Sequence, residues 1–356
     1  MGFRYIGAKE KLANIIIKEI REIKPDATDI IDLMAGTGQF SAALRQHNYK
    51  VSAVDVMTFS YHHLIVQLQL EEAPAFLKFK KNNISSNITF FEPNNYTKII
   101  DYLNNIEGIE GYFFKEFSPD GIPSNTSNPR KYFTSENAKK IDAIRQAIKK
   151  MRSEETITTV EHSLLLHDLI LATNDIANIA GTYGHYLSKF NSRALNKIKL
   201  KESQFLIQGN NKEHQVFRGY AEEIAPRLYG DICYIDPPYI KRQYAANYHI
   251  LETIAREDEP DAIGESGLRP WRDQYSNFCS KVKIRSAFDA IFKQVNCNDF
   301  LISYSEDGLL SETELTSFFA NYGNVNKKNI EYKRFKSNDS KKNATLNEFL
   351  FHIKKH

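Results

Sequence analysis

Apolar residues along this chain fall into two rhythms. Between residues 9 and 24, Leu12, Ile15, Ile16, Ile20 and Ile23 recur at helical spacing and Pro25 lies just beyond, which predicts an amphipathic helix. Residues 30–34, 51–55, 232–235 and 300–305 are short, mostly apolar runs, and each predicts a buried strand. Residues 163–180 read as a largely buried helix ended by Gly181 and Gly184. Residues 311–321 read as a helix capped by Ser311, with Glu314 at the capping-box position. Further on, 329–335 and 347–353 read as an antiparallel pair of closing strands.

The first two strands flank a glycine turn. Asp32-Leu33-Met34-Ala35-Gly36-Thr37-Gly38-Gln39-Phe40-Ser41 runs from a strand, through a turn at Gly36 and Gly38, into a helix that begins at Ser41. The next strand ends in Asp55, 19 residues after Gly36. That is close to the roughly 20 residues between a nucleotide-binding glycine loop and its ribose-binding acid. A GxG pair alone is weak, because glycines end strands everywhere; the flanking strands and the acid strengthen it. NAD sites use a third glycine, and here Ser41 holds that position. Asp32 at the strand repels a pyrophosphate and suits an ammonium group. The methionine tail of S-adenosylmethionine therefore fits this loop better than NAD does.

A second stretch, Ile232-Cys233-Tyr234-Ile235-Asp236-Pro237-Pro238-Tyr239, is a strand stopped by two prolines, neither of which can donate to a ladder. Asp236 precedes a proline and is pushed towards the extended region. The strand thus ends in one carboxylate and one aromatic ring on a stiff tip. Such a tip suits a flat ring bearing an amino group: Asp236 and a backbone carbonyl accept the amine hydrogens, and Tyr239 stacks on the ring face. On its own the tetrapeptide is an ordinary turn. The glycine loop upstream changes its meaning.

At 356 residues, with 42% hydrophobic and 26% charged residues, the chain has ample material for one large or two ordinary domains. No apolar run approaches the length of a membrane span, and Met1-Gly2-Phe3-Arg4-Tyr5 begins no signal peptide, so the cytoplasm is the expected compartment. Cys233, Cys279 and Cys297 are scattered, which predicts neither a disulfide framework nor a zinc site. His162, His167 and His185 lack metal-ligand spacing and read as packing or capping groups. A net charge of +3 is nearly neutral, so a nucleic-acid partner requires clustered cations.

Such a cluster lies between the two motifs. Residues 130–152 hold eight cations, including Arg130, Lys131, Lys139, Lys140 and Lys149, against Glu136 and Asp142, a net +6. Ile141, Ile144 and Ile148 mark one apolar helix face, so the cations are expected on the other. The usual fate of a charge run is a solvated face; if the tip at 236–239 takes a nucleic-acid base, phosphate contact is the better reading. Arg193, Lys197, Lys199 and Lys201 add a second basic stretch. A disordered patch is expected around residues 80–87 and a mobile loop that closes over DNA at 264–273. After Tyr239, a polar loop with Arg242, Asn247 and Tyr248 reads as a clamp for a flipped nucleotide.

Taken together, Tyr5-Ile6-Gly7-Ala8-Lys9, the loop from Asp32 to Phe40, Asp55, Gly219-Tyr220-Ala221-Glu222 and Asp236-Pro237-Pro238-Tyr239 resemble the D12 class of adenine-N6 DNA methyltransferases, the alpha group that includes Dam-type enzymes. The cofactor loop precedes the catalytic tetrapeptide with a long insert between, as in that group. Met34 departs from it, since the family often has phenylalanine there. The resemblance implies an α/β, Rossmann-like S-adenosylmethionine-dependent fold with a mostly parallel sheet. It divides the chain into a first catalytic part at 1–56, a mainly helical target-recognition insert at 57–210 and a second catalytic part at 211–356. It implies that Tyr5, Lys9, Asp32, Gly36, Gly38, Phe40, Asp55 and Asp236 meet the cofactor, and that Asp236, Pro237 and Tyr239 hold a flipped adenine for direct methyl transfer. No metal and no covalent enzyme intermediate are required. The expected partner is double-stranded DNA, with a cognate restriction endonuclease acting separately, and the expected state is a monomer. Two rivals stay open: a related enzyme acting on RNA or a protein amide, and a DNA-binding relic without activity. Asp rather than Asn at 236 argues against the amide, and intact Asp32, Asp55, Asp236 and Tyr239 argue against the relic.

Overall fold

The computed structural model describes residues 10–79, 94–205, 212–333 and 345–356, and the patch expected at 80–87 lies outside them. The chain forms two compact units. The sheet unit comprises the described residues of Lys9–Val56, Gly209–Tyr244 and Gln274–His356; the helical unit comprises those of Met57–Gln208 and Ala245–Asp273. The segment 245–273, read from the sequence as part of the second catalytic block, thus folds with the insert.

One seven-stranded sheet organises its unit. In chain order the strands are β1 (Asp29–Leu33), β2 (Lys50–Asp55), β3 (Gln215–Arg218), β4 (Ile232–Ile235), β5 (Asp299–Ser305), β6 (Gly323–Lys333) and β7 (Thr345–Lys355). Their order across the sheet is β3-β2-β1-β4-β5-β7-β6. The first five are parallel, while β7 runs antiparallel to both β5 and β6. Parallel strands need helical crossovers, which cover both faces, so β4 and β5 are buried at every position. Leu33 lies opposite Val54 on one side and Ile235 on the other, so β1, β2 and β4 end level. The closing pair β6–β7 is longer than the sequence pattern marked, because alternation fades where one strand lies at the sheet edge.

Helices of this unit follow their patterns with one exception. In Glu10–Ile23 the buried stripe is Leu12, Ala13, Ile16, Ile17 and Ile20, at spacings of three and four. Ile15, expected on that stripe, is 43% exposed because it falls off it. Helix Glu312–Phe319 begins with the expected capping box. The Ser311 hydroxyl accepts from the Glu314 amide at 3.2 Å, and the Glu314 carboxylate accepts from the Ser311 amide at 2.8 Å.

In the helical unit, buried carboxylates serve as helix caps. Glu252 is fully buried and accepts from the amides of Thr58 (2.9 Å) and Phe59 (3.2 Å), the start of helix Thr58–Gln69. It also pairs with Arg256 at 2.7 Å. Asp142 does the same for helix Tyr112–Phe117, accepting from Phe113 (2.9 Å) and Phe114 (2.8 Å). Burial still pushes its carboxyl up to about 6, against the pull of those amides. Helix Thr159–Asp175 starts four residues before the expected 163, on a Thr158–Glu161 capping box that the apolar pattern overlooked. It stops well before Gly181, where Asn178 ties the following backbone elsewhere.

The loop at 264–273, expected to be mobile, is held by hydrogen bonds and ion pairs to the rest of its unit. Arg269 is buried and meets both Asp258 oxygens, at 3.0 and 2.8 Å, and Ile263 and Leu268 exchange two backbone bonds of 2.8 Å. Arg130 clamps the same loop. Its guanidinium is 0% exposed and donates to Glu116 (2.7 Å) and to the carbonyls of Ala262 and Gly264 (3.0 Å each). Among the described residues no helix is long and apolar enough to cross a membrane. Removing one partner of a buried ion pair strands the other, so Arg130→Ala should cost the helical unit about 3–5 kcal/mol. Denaturant unfolding measures this; a loss below about 1 kcal/mol, the scale of an exposed pair, would show that the clamp holds little.

Candidate active site at the carboxyl edge of the sheet

Where β1, β2 and β4 end level, three carboxylates gather. After Leu33 the chain turns through Met34 (φ 63°), Gly36 (φ 57°) and Gly38 (φ 76°). Left-handed geometry is free for glycine and costly for Met34, so the turn stores strain at one point. The Gly36 amide donates to the Asp55 carboxylate at 2.8 Å, inside the structure. Gly38 then stands at the N-cap of helix Gln39–Gln46 with no side-chain cap among the described residues. The first amides of that helix therefore face whatever occupies the turn.

Asp32 is 1% exposed, and its carboxylate accepts from the Ser41 hydroxyl. Its pKa is shifted up from 3.8 to about 7. Burial is the main cause; the Ser41 bond pulls the other way, and the charges of Asp236 and Asp55 push up further. Asp55 and Asp236 are thus both within electrostatic reach of Asp32. Sequence reading took Ser41 only as a missing glycine. Its role as the partner of Asp32 follows from the helix turning back over the strand, which spacing does not reveal.

The proline tip extends from β4. Asp236 and Tyr239 are half-buried and Pro237 is buried. The Tyr239 carbonyl accepts from Leu309 at 2.9 Å, and its ring meets Tyr304 edge-on at 6.1 Å. Phe40 packs on Tyr234, ring centres 4.4 Å apart, and the Tyr234 hydroxyl shares a 2.9 Å bond with Ser303. All three cysteines are buried free thiols, and burial raises Cys279 and Cys297 to about 11, so none is a thiolate nucleophile at neutral pH. Among the described residues no group of three His, Cys, Asp or Glu is gathered to hold a metal ion.

The structure therefore brings Asp32, Gly36, Gly38, Phe40, Asp55, Asp236, Pro237 and Tyr239 into one unit. Tyr5 and Lys9 lie outside the described residues. The residues expected to touch DNA are scattered. Arg242 is exposed on the sheet unit. In the helical unit, Arg130 and Tyr248 are fully buried and Asn247 is 9% exposed, so none of the three presents its side chain to a duplex. Arg130 is held by its clamp, and Tyr248 packs on Phe59 at 5.7 Å. Lys139 pairs with Glu110 at 2.7 Å, Lys140 donates to the Ile106 carbonyl, Lys149 to the Glu257 carbonyl at 2.8 Å, and Lys131 to the Ser188 carbonyl at 3.5 Å. Of the histidines, His63 and His167 share a buried contact of 2.6 Å, His162 meets Glu257 at 2.9 Å and His185 meets Ser266 at 3.1 Å, in keeping with packing roles.

A family model described as D12 class N6 adenine-specific DNA methyltransferase matches residues 5–318. Type II methyltransferase M.FokI of Planomicrobium okeanokoites is 36% identical over 359 residues, which cover 99% of this chain and 52% of that protein. Modification methylase StsI of Streptococcus sanguinis is 32% identical, covering 99% and 52%. Type II methyltransferase M.NlaIII of Neisseria lactamica is 29% identical, covering 99% of each chain. The chain spans about half the length of the first two.

An acid whose carboxyl is raised by burial favours the folded state below its ordinary value, and that contribution is lost as pH rises through the raised one. For Asp32 the window runs from 3.8 to about 7. Asp32→Asn should therefore gain stability relative to the parent as pH rises through that window, by on the order of 1.4 kcal/mol per unit, and level off above it. Thermal unfolding of both proteins from pH 4 to 8, without cofactor, measures this. A constant difference would mean that Asp32 titrates normally.

Proposed function

From the chain's membership of the D12 class N6 adenine-specific DNA methyltransferase family, we propose that it transfers a methyl group from S-adenosylmethionine to N6 of adenine in double-stranded DNA. The observation that carries this reading is the set of three carboxylates at the level ends of β1, β2 and β4, with the proline-stiffened Tyr239 beside them. We further propose that it is the modification member of a restriction–modification pair, in keeping with the names of its relatives.

The site chemistry fits the cofactor. Asp32 is a buried carboxylate that lacks a cation among the described residues, and the ammonium of the methionine part would supply one. Asp55, at the end of β2, would accept from the ribose hydroxyls, and the uncapped turn at Gly36 and Gly38 lets backbone approach the ligand closely. When bound, the cofactor supplies an electrophilic methyl group on a sulfonium. The chain's own part is to hold the acceptor. A flipped adenine stacks on Tyr239, while Asp236 and the Pro237 carbonyl accept the two N6 hydrogens. Two acceptors out of line with the ring conjugation localise the nitrogen lone pair, which is otherwise delocalised into the purine. With the cofactor bound, the N6 nitrogen would bond the methyl carbon as the carbon–sulfur bond breaks, and Asp236 would take the surplus N6 proton. Rate comes from positioning and from a carboxylate in a half-buried, weakly screened site.

Incubation with methyl-labelled cofactor and DNA, RNA or protein, followed by digestion, tests the assignment. N6-methyladenine in the DNA digest is the expected product; label confined to RNA or protein refutes the reading. Asp236→Ala should abolish transfer while leaving folding and duplex binding intact, and substantial turnover by that variant would remove Asp236 as the amine acceptor. Asp55→Ala should weaken cofactor binding by about 1–3 kcal/mol, the worth of a hydrogen bond to a charged group. Calorimetry reads this, and an unchanged affinity would mean that the ribose is held elsewhere.

A further inference from the structure

Residues 176–205 contain no helix or strand, a long irregular run for a compact unit. Its backbone is nevertheless tied down by three asparagine side chains. Asn178 donates to the carbonyls of Lys131 and Leu187, both at 2.9 Å, and accepts from the Asn191 amide at 3.1 Å. Asn137 donates to the Asn196 carbonyl at 2.8 Å and accepts from the Ile198 amide at 2.9 Å. Asn104 donates to the Leu200 carbonyl at 3.0 Å and accepts from the Leu200 amide at 2.8 Å. Each amide offers a donor and an acceptor, as a neighbouring strand would. The Ser203 hydroxyl closes the run on Asp168 at 2.6 Å.

The consequence is a strict alternation at 197–201. Ile198 is 7% and Leu200 1% exposed, while Lys197, Lys199 and Lys201 all stand in solvent. Side chains two apart on an extended chain share a face and stand about 6.6 Å apart along it. None of the three lysines has a hydrogen bond or ion pair among the described residues, unlike Lys139 and Lys149. Residues 185–201 contain five cations and no acid.

We infer that this lysine row, at 197, 199 and 201, is a surface on which the helical unit takes the phosphate backbone of duplex DNA. The inference rests on the proposed DNA substrate and adds where the polymer is held. A rigid row of unpaired ammonium groups meets a line of repeating anions with its backbone already ordered, so binding loses little chain entropy. The row contacts phosphates and positions the duplex; it does not read bases.

The test is the full chain carrying Lys197→Gln, Lys199→Gln and Lys201→Gln together, compared with the parent. Binding to a random-sequence duplex and to a duplex bearing the methylated site is followed over a salt series. Expected is weaker binding to both duplexes and a log–log salt slope shallower by up to about 2.7, at about 0.9 per lost phosphate contact. Cofactor affinity and melting temperature should stay unchanged, because the three side chains are exposed and unpaired. A variant with the parent's slope overturns this assignment alone. Weakening confined to the specific duplex shows that the row reads bases and overturns the positioning role. A parent that binds no duplex at any salt overturns both this assignment and the DNA reading.

Discussion

Taking a carboxylate out of water is costly, and this protein does so where its parallel strands end. Asp32 is buried near two further acids with a serine hydroxyl as its partner, and its raised pKa registers the cost. Nothing in that arrangement favours folding by itself. It persists because the sheet order puts β1 in the interior, with β2 and β4 on either side, so the residues at those strand ends have nowhere else to go. The strain at Met34 and the Asp55–Gly36 bond belong to the same turn. A ligand bringing a cation and hydroxyl groups would relieve the burden, so the folded energetics and the proposed chemistry have one origin.

In the helical unit Glu252 and Asp142 cap helices and Glu116 holds Arg130, while Asp168, buried against the Tyr96 and Ser203 hydroxyls, is pushed up to about 8 much as Asp32 is. The unit's irregular segments are secured by side chains, with asparagine amides in place of a strand partner. Backbone donors and acceptors inside a protein need partners, and secondary structure is only the commonest source. This is how the run at 176–205 stays ordered without a helix or strand of its own.

Charge separates the two basic stretches. By composition, 130–152 is the stronger candidate for a polyanion. In the fold, Arg130 and Arg145 are buried, and Lys139, Lys140 and Lys149 have partners within the unit. The stretch at 185–201 has fewer cations, yet it leaves three lysines in a row without partners among the described residues. A count of charges measures what a segment carries; availability depends on what lies opposite.

Strands β1, β2, β4 and β5, the glycine turn, the proline tip and the Ser311 capping box were legible in the sequence, because each rests on chemistry within a few neighbouring residues, and the order of these motifs pointed to the family; β3 was not legible. Periodicity, turn propensity and the pre-proline restriction all act locally. The tertiary structure alone decided which charges are spent. Lys149 meets a carbonyl 108 residues away, and Asn104 stitches a backbone 96 residues away. It also decided that Ser41 serves Asp32, that 245–273 folds with the insert, and that Arg130, Asn247 and Tyr248 are interior. Hydrogen-bond partners and burial are properties of which segments meet, and a one-dimensional pattern does not encode that meeting.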